Sequence, residues 1–139
     1  MDILILNGPN LNLLGRREPN LYGTRSFENY LEELRQLFPE DTLIYLQSNH
    51  EGDLIDAVQD YGFGRAAGIV LNAGGYTHTS ISLRDAIAAV ETPVVEVHLT
   101  DITSREPFRR TSYLTDVCAC TIIGKGLDGY KEAIEFLKK

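Results

Sequence analysis

The chain has 139 residues, the length of one ordinary domain, and we expect a single domain over residues 1–139. Hydrophobic residues make up 43% of it and charged residues 24%, a composition that excludes disordered and collagen-like proteins. Thirteen basic residues against 20 acidic ones give a net charge of −7, which argues against a protein that binds nucleic acid or an anionic membrane.

The chain starts with a strand and a long loop. Residues 2–6 (DILIL) form a short apolar run, which predicts a buried first strand. Residues 7–25 are rich in Gly, Pro and Asn, and a loop of this length in a compact domain is commonly functional. Ser26 can cap the helix that follows at 27–38, where apolar residues repeat at helical spacing.

The middle of the chain repeats the pattern of strand and helix twice. A strand is predicted at 42–47 and a helix at about 51–61. A third strand at 67–71 is followed by the loop NAGGYTHT and by a helix that Ser80 or Ser82 would cap. The apolar residues inside that helix would be Leu83, Ala86, Ile87 and Val90.

The last third of the chain adds two strands and a helix. A fourth strand is predicted at 93–99, a polar, arginine-rich loop at 100–112, and a fifth strand at 117–123. Cys118 and Cys120 are two apart on this strand, and we expect them to be buried thiols on one face. The last helix carries an apolar stripe of Leu127, Tyr130, Ile134 and Leu137.

Strands that alternate with single helices predict an α/β fold, a doubly wound parallel sheet with helices on both faces. Five strands joined by right-handed crossovers suggest the flavodoxin-like order 2-1-3-4-5. Ligands of such sheets bind beyond the carboxyl ends of the strands, at the switch point between strands one and three. We therefore expect the functional site in the loops 7–25, 72–80 and 98–112.

Two arginine clusters lie in these loops. One is Arg16 with Arg17, and the other is Arg105 with Arg109 and Arg110. In an acidic protein such clusters indicate either a site for a small anion or an ordinary charged surface, and the sequence leaves both interpretations open.

Three features of the loops could carry chemistry. Arg17 is five residues from Tyr22 and could hold it as a phenolate base, although a tyrosine more often only packs its ring. His78 precedes a helix start, where it could meet an anion or cap the helix. Glu96 and His98 are two apart on one strand face. A carboxylate beside an imidazole favours the protonated ring of a general acid, but taken alone such a pair is more often an ordinary pair at a strand end.

The order of three segments is more informative than any single residue. NGPNLNLLGRREPNLYG, LNAGGYTHTSISLRDA and VEVHLTDITSREPFRRTSY follow one another, and together they closely resemble the type II 3-dehydroquinate dehydratases. The resemblance implies an enzyme of the shikimate pathway that dehydrates 3-dehydroquinate through an enolate, without a metal or cofactor. Quinate catabolism uses the same reaction, and the sequence does not separate the two roles.

The resemblance also implies catalytic roles. Tyr22 would be the base that takes the proton from C2, and Arg17 would hold it as the phenolate. Asn10 would position a water molecule or donate to the enolate oxygen. His98 would be the acid that protonates the leaving C1 hydroxyl, and Glu96 would orient it.

Further residues would bind the substrate, by the same resemblance. Asn72, His78 and Arg109 would bind its hydroxyl groups. The backbone amides of Leu99 and Thr100 would hold its carboxylate. Thr100 stands where many relatives have serine, and it keeps both the hydroxyl and the amide.

Assembly is the last implication of the resemblance, which points to a homododecamer built from trimers. Asp85 would reach the site of a neighbouring subunit, from a helix face that also carries Ser82 and Ala89. Arg105 would be a structural partner within its loop.

Other interpretations remain. A flavin-binding or phosphoacceptor module fits the strand order, but Asn7 and Asn72 stand where a phosphoacceptor needs acidic residues. A metal hydrolase could use His78, His98 and Glu96. The first residues, MDILILNGPN, lack the features of a secretory signal, and no apolar run approaches the roughly 20 residues that span a membrane. We therefore expect a cytoplasmic protein.

Overall fold

Parallel strands form one sheet with the order β2-β1-β3-β4-β5. The structure is a computed structural model that describes residues 1–16 and 25–139. In these ranges the strands are β1 (Asp2–Asn7), β2 (Thr42–Gln47), β3 (Gly68–Asn72), β4 (Val94–His98) and β5 (Cys120–Ile123). The α/β class and the flavodoxin-like strand order that the sequence predicted are confirmed.

Helices cover both faces of the sheet. In the described part of the chain they are α1 (Phe27–Leu37), α2 (Glu51–Tyr61), α3 (Ile81–Ala89) and α4 (Asp128–Leu137). Leu34 of α1 and Ile134 of α4 belong to one buried cluster, and Leu54 of α2 and Leu83 of α3 belong to another. Helices α1 and α4 therefore pack on one face, and α2 and α3 pack on the other. None of these helices is both long enough and apolar enough to cross a membrane.

The alternation of side chains along β1 explains why both faces are apolar. Ile3 and Ile5 belong to the cluster under α1 and α4, whereas Leu4 and Leu6 belong to the cluster under α2 and α3. All four are at most 1% exposed. Successive side chains of a strand point to opposite faces, so a continuous apolar run suits a strand that is covered on both sides.

Side-chain caps fix the starts of two helices. The Ser26 hydroxyl accepts a hydrogen bond at 3.2 Å from the backbone N–H three residues on, as predicted for α1. Ser80, and not Ser82, caps α3 in the same way, at 2.9 Å. Helix α3 ends at Ala89, so Val90 lies just beyond the helix in extended conformation, and its predicted position inside the helix is wrong.

The last strand begins later than the predicted 117–123. A short 3-10 turn occupies Thr115–Val117, because the backbone N–H of Val117 donates back to the carbonyl of the fully buried Leu114 at 3.1 Å, and the N–H of Cys118 donates to the same carbonyl at 3.1 Å. Cys118 therefore precedes β5 and packs on the side of α2 and α3, whereas Cys120 packs on the side of α1 and α4. The predicted shared face is wrong, and both thiols are only partly buried.

Candidate active site

The loops that follow β1, β3 and β4 meet in a cleft at the carboxyl edge of the sheet, where the strand order predicted the functional site. The cleft has a volume of about 140 Å³. Its walls are formed by Pro9, Asn10 and Leu11 after β1, by Asn72, Gly74, Gly75 and His78 after β3, and by His98, Leu99, Thr100, Ile102, Arg105 and Arg109 after β4. Seven of the predicted site residues are in this set: Asn10, Asn72, His78, His98, Leu99, Thr100 and Arg109.

Glycines let the first two loops approach each other closely. A Cβ atom on Gly8 would lie 2.4 Å from the carbonyl oxygen of Ala73. Gly74 has a φ of +60°, and a Cβ atom there would lie 3.0 Å from a carbonyl oxygen of the β1 loop. The backbone is therefore closely approached at Gly74, whereas a Cβ atom on Gly75 would meet nothing within 4 Å.

Asn10 is held in a left-handed conformation at the cleft. Its φ is 70°, a region that asparagine tolerates better than most residues. Its backbone N–H donates to Oδ1 of Asn49 at 3.0 Å. Gln47 at the end of β2 donates from Nε2 to the same Oδ1 atom and to the carbonyl oxygen of Gly8, at 3.2 and 3.1 Å. Gln47 at the end of β2 and Asn49 just after it therefore anchor the loop that presents Asn10.

Glu96 and His98 form a buried pair beside the cleft. Glu96 is 1% exposed and His98 is 5% exposed. Nε2 of His98 lies 2.5 Å from Oε2 of Glu96. The same oxygen accepts from the Ser112 hydroxyl at 2.6 Å, and Oε1 accepts from the hydroxyls of Thr115 and Thr121 at 2.7 and 2.9 Å.

These contacts determine the charge of Glu96. Burial by itself would raise the pKa of this carboxyl group, but the hydrogen bond and charge of His98 and the hydroxyls of Ser112 and Thr115 outweigh burial and lower the pKa to about 2. Glu96 is therefore an anion at neutral pH. Since it fixes Nε2 of His98, the imidazole is held in one orientation and Nδ1 is the ring nitrogen left for a ligand in the cleft.

Asn72 and His78 extend the polar wall of the cleft. Oδ1 of Asn72 accepts from the backbone N–H of Gly74 at 3.2 Å, and its Nδ2 donates to the Tyr130 hydroxyl at 3.0 Å. Nδ1 of His78 lies 2.7 Å from the carbonyl oxygen of Thr111, so Nδ1 carries the proton in that bond. His78 ends a 3-10 turn and does not cap α3, which leaves Nε2 for a ligand.

The second arginine cluster brings two side chains to the cleft. Arg105 donates to the Thr100 hydroxyl at 3.1 Å, and Arg109 pairs with Glu106 at 2.8 Å. Arg110 instead donates to the backbone carbonyl of Arg105. Arg105 also pairs with Glu106, at 3.3 Å, so the two guanidinium groups that line the cleft share one carboxylate. This arrangement agrees with the interpretation of that cluster as a site for a small anion.

Asp85 does not take part in the cleft of its own chain. It is exposed on α3, and Ser82 and Ala89 are exposed with it, as predicted for that helix face. Tyr22 and Arg17 lie outside the described residues. In residues 1–16 and 25–139, no group of three or more His, Cys, Asp or Glu side chains is arranged to hold a metal ion.

Comparison with known proteins decides the family. The model of the family described as dehydroquinase class II matches residues 1–138. The chain belongs to the class II dehydroquinase family. The resemblance drawn from the three sequence segments is thereby confirmed.

Individual relatives agree with the dehydroquinase family. A 3-dehydroquinate dehydratase of Exiguobacterium sp. is 55% identical over 139 residues, which cover 99% of this chain and 94% of that protein. A catabolic 3-dehydroquinase of Pyricularia oryzae is 46% identical over 142 residues, with 99% and 89% covered. The crystal structure of type II dehydroquinase from Butyrivibrio crossotus has a TM-score of 0.96 at 42% identity, with 100% of this chain and 98% of that chain covered.

Sequence reasoning missed several residues of this candidate site. The hydroxyls of Ser112, Thr115 and Thr121 were not singled out, although they surround Glu96. Thr121 lies opposite Glu96 in the register of β4 and β5. Its contact with Glu96 could have been predicted only if that register had been known. The sequence placed Tyr130 in the apolar stripe of the last helix. Its ring does pack in the core, but its hydroxyl forms buried hydrogen bonds that the stripe does not predict.

The lowered pKa of Glu96 predicts an acid-sensitive contribution to stability. The folded-state value of about 2 lies below the ordinary 4.5, so this contribution is present above about pH 4.5 and is lost as the pH falls toward 2. We expect the free energy of unfolding to fall by roughly 3 kcal/mol more in the unaltered chain than in Glu96→Gln over this range. Urea unfolding at fixed protein concentration measures the difference.

The exposed Glu135 on α4 supplies the matched control for that experiment. Glu135→Gln should follow the unaltered chain at every pH. A Glu96→Gln variant whose stability declined with acid as steeply as that of Glu135→Gln would show that Glu96 is not held ionised.

Proposed function

We propose that this dehydroquinase removes water from 3-dehydroquinate by anti elimination through an enolate and releases 3-dehydroshikimate. The observation that carries the proposal is the buried Glu96–His98 pair, whose imidazole lines a cleft that also holds Asn72, His78 and Arg109. The names of the relatives, 3-dehydroquinate dehydratase and catabolic 3-dehydroquinase, support the substrate. One catalytic domain over residues 1–139 would carry out the whole reaction.

His98 is the proposed general acid. Elimination of the C1 hydroxyl needs a proton at the leaving oxygen, and an imidazole at the wall of the cleft can supply it. Glu96 orients the ring through Nε2, so the proton leaves from Nδ1. The anionic carboxylate also stabilises the ring while it carries its extra proton.

Tyr22 is the proposed base, and Arg17 is proposed to hold it as the phenolate and to help stabilise the enolate. Both belong to the segment that follows the loop of Asn10 directly in sequence. Asn10 would position a water molecule or donate to the enolate oxygen. Its side chain is exposed in the cleft, which supports a role toward the substrate.

The remaining polar groups of the cleft fit the substrate's own polar groups. Asn72, His78 and Arg109 are proposed to bind its hydroxyls, and the backbone amides of Leu99 and Thr100 its carboxylate. Nδ2 of Asn72 supports this assignment as a hydrogen-bond donor, and so does Nε2 of His78, an acceptor in the neutral ring.

The distribution of lysine supports the enolate over a Schiff base. A lysine imine is the other route to this dehydration. Among the described residues no lysine lines the cleft, and the segment 17–24 contains none. One base, one acid and stabilisation of the enolate are sufficient for the reaction, so no cofactor or metal enters the proposal.

Both a biosynthetic and a catabolic role are compatible with this reaction, and the relative from Pyricularia oryzae is named a catabolic 3-dehydroquinase. We further propose a cytoplasmic homododecamer, a tetramer of trimers, in which Asp85 reaches the site of a neighbouring subunit. The exposure of Asp85, and its absence from the cleft of its own chain, support this arrangement.

Formation of the conjugated enone of 3-dehydroshikimate, followed by its ultraviolet absorbance, tests the proposed reaction. Tyr22→Phe removes the proposed base and keeps the ring, so we expect turnover to fall by at least about 100-fold with little change in KM. Tyr61→Phe is the matched control. Tyr61 on α2 lies beside an arginine, as is proposed for Tyr22, because the Arg65 guanidinium is 4.2 Å from the centre of its ring. Unlike the proposed base, Tyr61 does not line the cleft. Near-normal turnover in Tyr22→Phe would contradict the assigned base.

Complementation tests the role of Asp85. Tyr22→Phe subunits keep Asp85, and Asp85→Asn subunits keep Tyr22, so mixed trimers should contain some sites with both groups intact. We expect activity after joint unfolding and refolding to exceed that of either variant refolded alone. If mass spectrometry verifies mixed assemblies and no activity returns, Asp85 does not act across subunits.

A further inference from the structure

A buried chain of hydrogen bonds connects the last helix with the cleft. The Tyr130 hydroxyl on α4 donates to Oδ1 of Asn7 at 2.7 Å, and Nδ2 of Asn72 donates to the Tyr130 oxygen at 3.0 Å. Tyr130 and Asn7 are 0% exposed, and Asn72 is 4% exposed. Asn7 and Asn72 end β1 and β3 and are paired in the sheet register. Of these three residues, only Asn72 lines the cleft.

The direction of each bond follows from the donors that are present. The Tyr130 hydroxyl has one proton, and Oδ1 of Asn7 can only accept it. Nδ2 of Asn7 then faces the Tyr45 hydroxyl at 3.5 Å, and the oxygen of that hydroxyl can accept from it. The Tyr130 oxygen must then accept from its other neighbour, and Nδ2 of Asn72 is the donor there.

A second contact holds the other side of the Asn72 amide. Its Oδ1 accepts from the backbone N–H of Gly74 at 3.2 Å. If the amide were rotated by half a turn, its oxygen would face the Tyr130 oxygen and its nitrogen would face the Gly74 N–H. Both contacts would then be repulsive, so the amide has one favourable orientation.

We propose that Tyr130 is a positioning residue, which acts through Asn72 so that Nδ2 of Asn72 presents its second proton to a hydroxyl oxygen of the ligand. The inference rests on the proposed function and adds a residue to it. Without the tyrosine oxygen, the Asn72 nitrogen loses its buried acceptor, and the amide can turn away from the ligand. Tyr130 itself does not touch the substrate, because it lies behind Asn72.

The chain contains a matched tyrosine for the test. Tyr30 on α1 is 3% exposed and shares the aromatic cluster, with its ring centroid 6.3 Å from that of Phe27 and the Tyr130 centroid 4.9 Å from Phe27. The Tyr30 hydroxyl takes no part in the hydrogen bonds that join Tyr130 to Asn7 and Asn72. Removing the Tyr30 hydroxyl therefore changes the same core without touching the path to Asn72.

The kinetic experiment compares Tyr130→Phe with Tyr30→Phe on 3-dehydroquinate. We expect Tyr130→Phe to raise KM by about tenfold and to change kcat by less than about threefold, because a bond to a spectator hydroxyl stabilises substrate and transition state alike. Tyr30→Phe should leave both constants near those of the unaltered chain. Equal KM values for the two variants would overturn the inference.

A double-mutant comparison separates positioning from a general effect on the core. In an Asn72→Ala background, Tyr130→Phe should change KM by less than about twofold, because the side chain through which it acts is gone. A full additional loss in that background would show that Tyr130 acts independently of Asn72, and the inference would fail.

Nuclear magnetic resonance gives a readout that needs no turnover. The side-chain amide protons of Asn72 should exchange with solvent at least about tenfold more slowly than those of the exposed Asn29. Tyr130→Phe should remove most of this difference, and Tyr30→Phe should not. An unaltered chain that forms no enone would contradict the proposed function, whereas unprotected Asn72 protons in that chain would contradict the role of Tyr130.

Discussion

The ionised carboxylate of Glu96 is the feature on which this site depends. An unpaired charge in a protein interior costs several kcal/mol, so the fold has to surround Glu96 with donors. Donors come from His98 on β4, from Ser112 and Thr115 in the following loop, and from Thr121 on β5. Glu96, which orients the imidazole of His98, thus also fixes the path of the chain after β4 and the position of β5 at the edge of the sheet.

A second set of buried polar side chains connects the neighbouring strands through hydrogen bonds. Asn7, Asn72 and Tyr130 join the ends of β1 and β3 to α4. Elsewhere β1 and β3 bury only apolar side chains and the glycine that starts β3. Each set of polar side chains includes one residue at the carboxyl end of a strand, His98 on β4 or Asn72 on β3, and that residue lines the cleft. The parallel order of the sheet brings these two side chains into a single site.

The sequence predicted what local patterns determine, and it missed what depends on long-range contacts. Apolar runs and apolar periodicity identified the five strands and the four α-helices of the described chain, because both patterns reflect burial on one or two faces, but they identified none of its short 3-10 helices. The start of β5 was misplaced, because a bond between Cys118 and Leu114 turns the backbone before the strand. Ser112 and Thr115 lie 16 and 19 positions from Glu96, and no local pattern joins them. Roles of individual site residues came from the family resemblance, since spacing alone left their alternatives open.

Separation of proton abstraction from elimination tests the central claim, that Glu96 and His98 form the acid of the reaction. In deuterated solvent, His98→Ala should still exchange the C2 proton of 3-dehydroquinate, while enone formation falls by at least about 100-fold. His50→Ala, a change of an exposed histidine before α2, should leave both rates unaltered. Loss of exchange and elimination to the same degree in His98→Ala would contradict this division between base and acid.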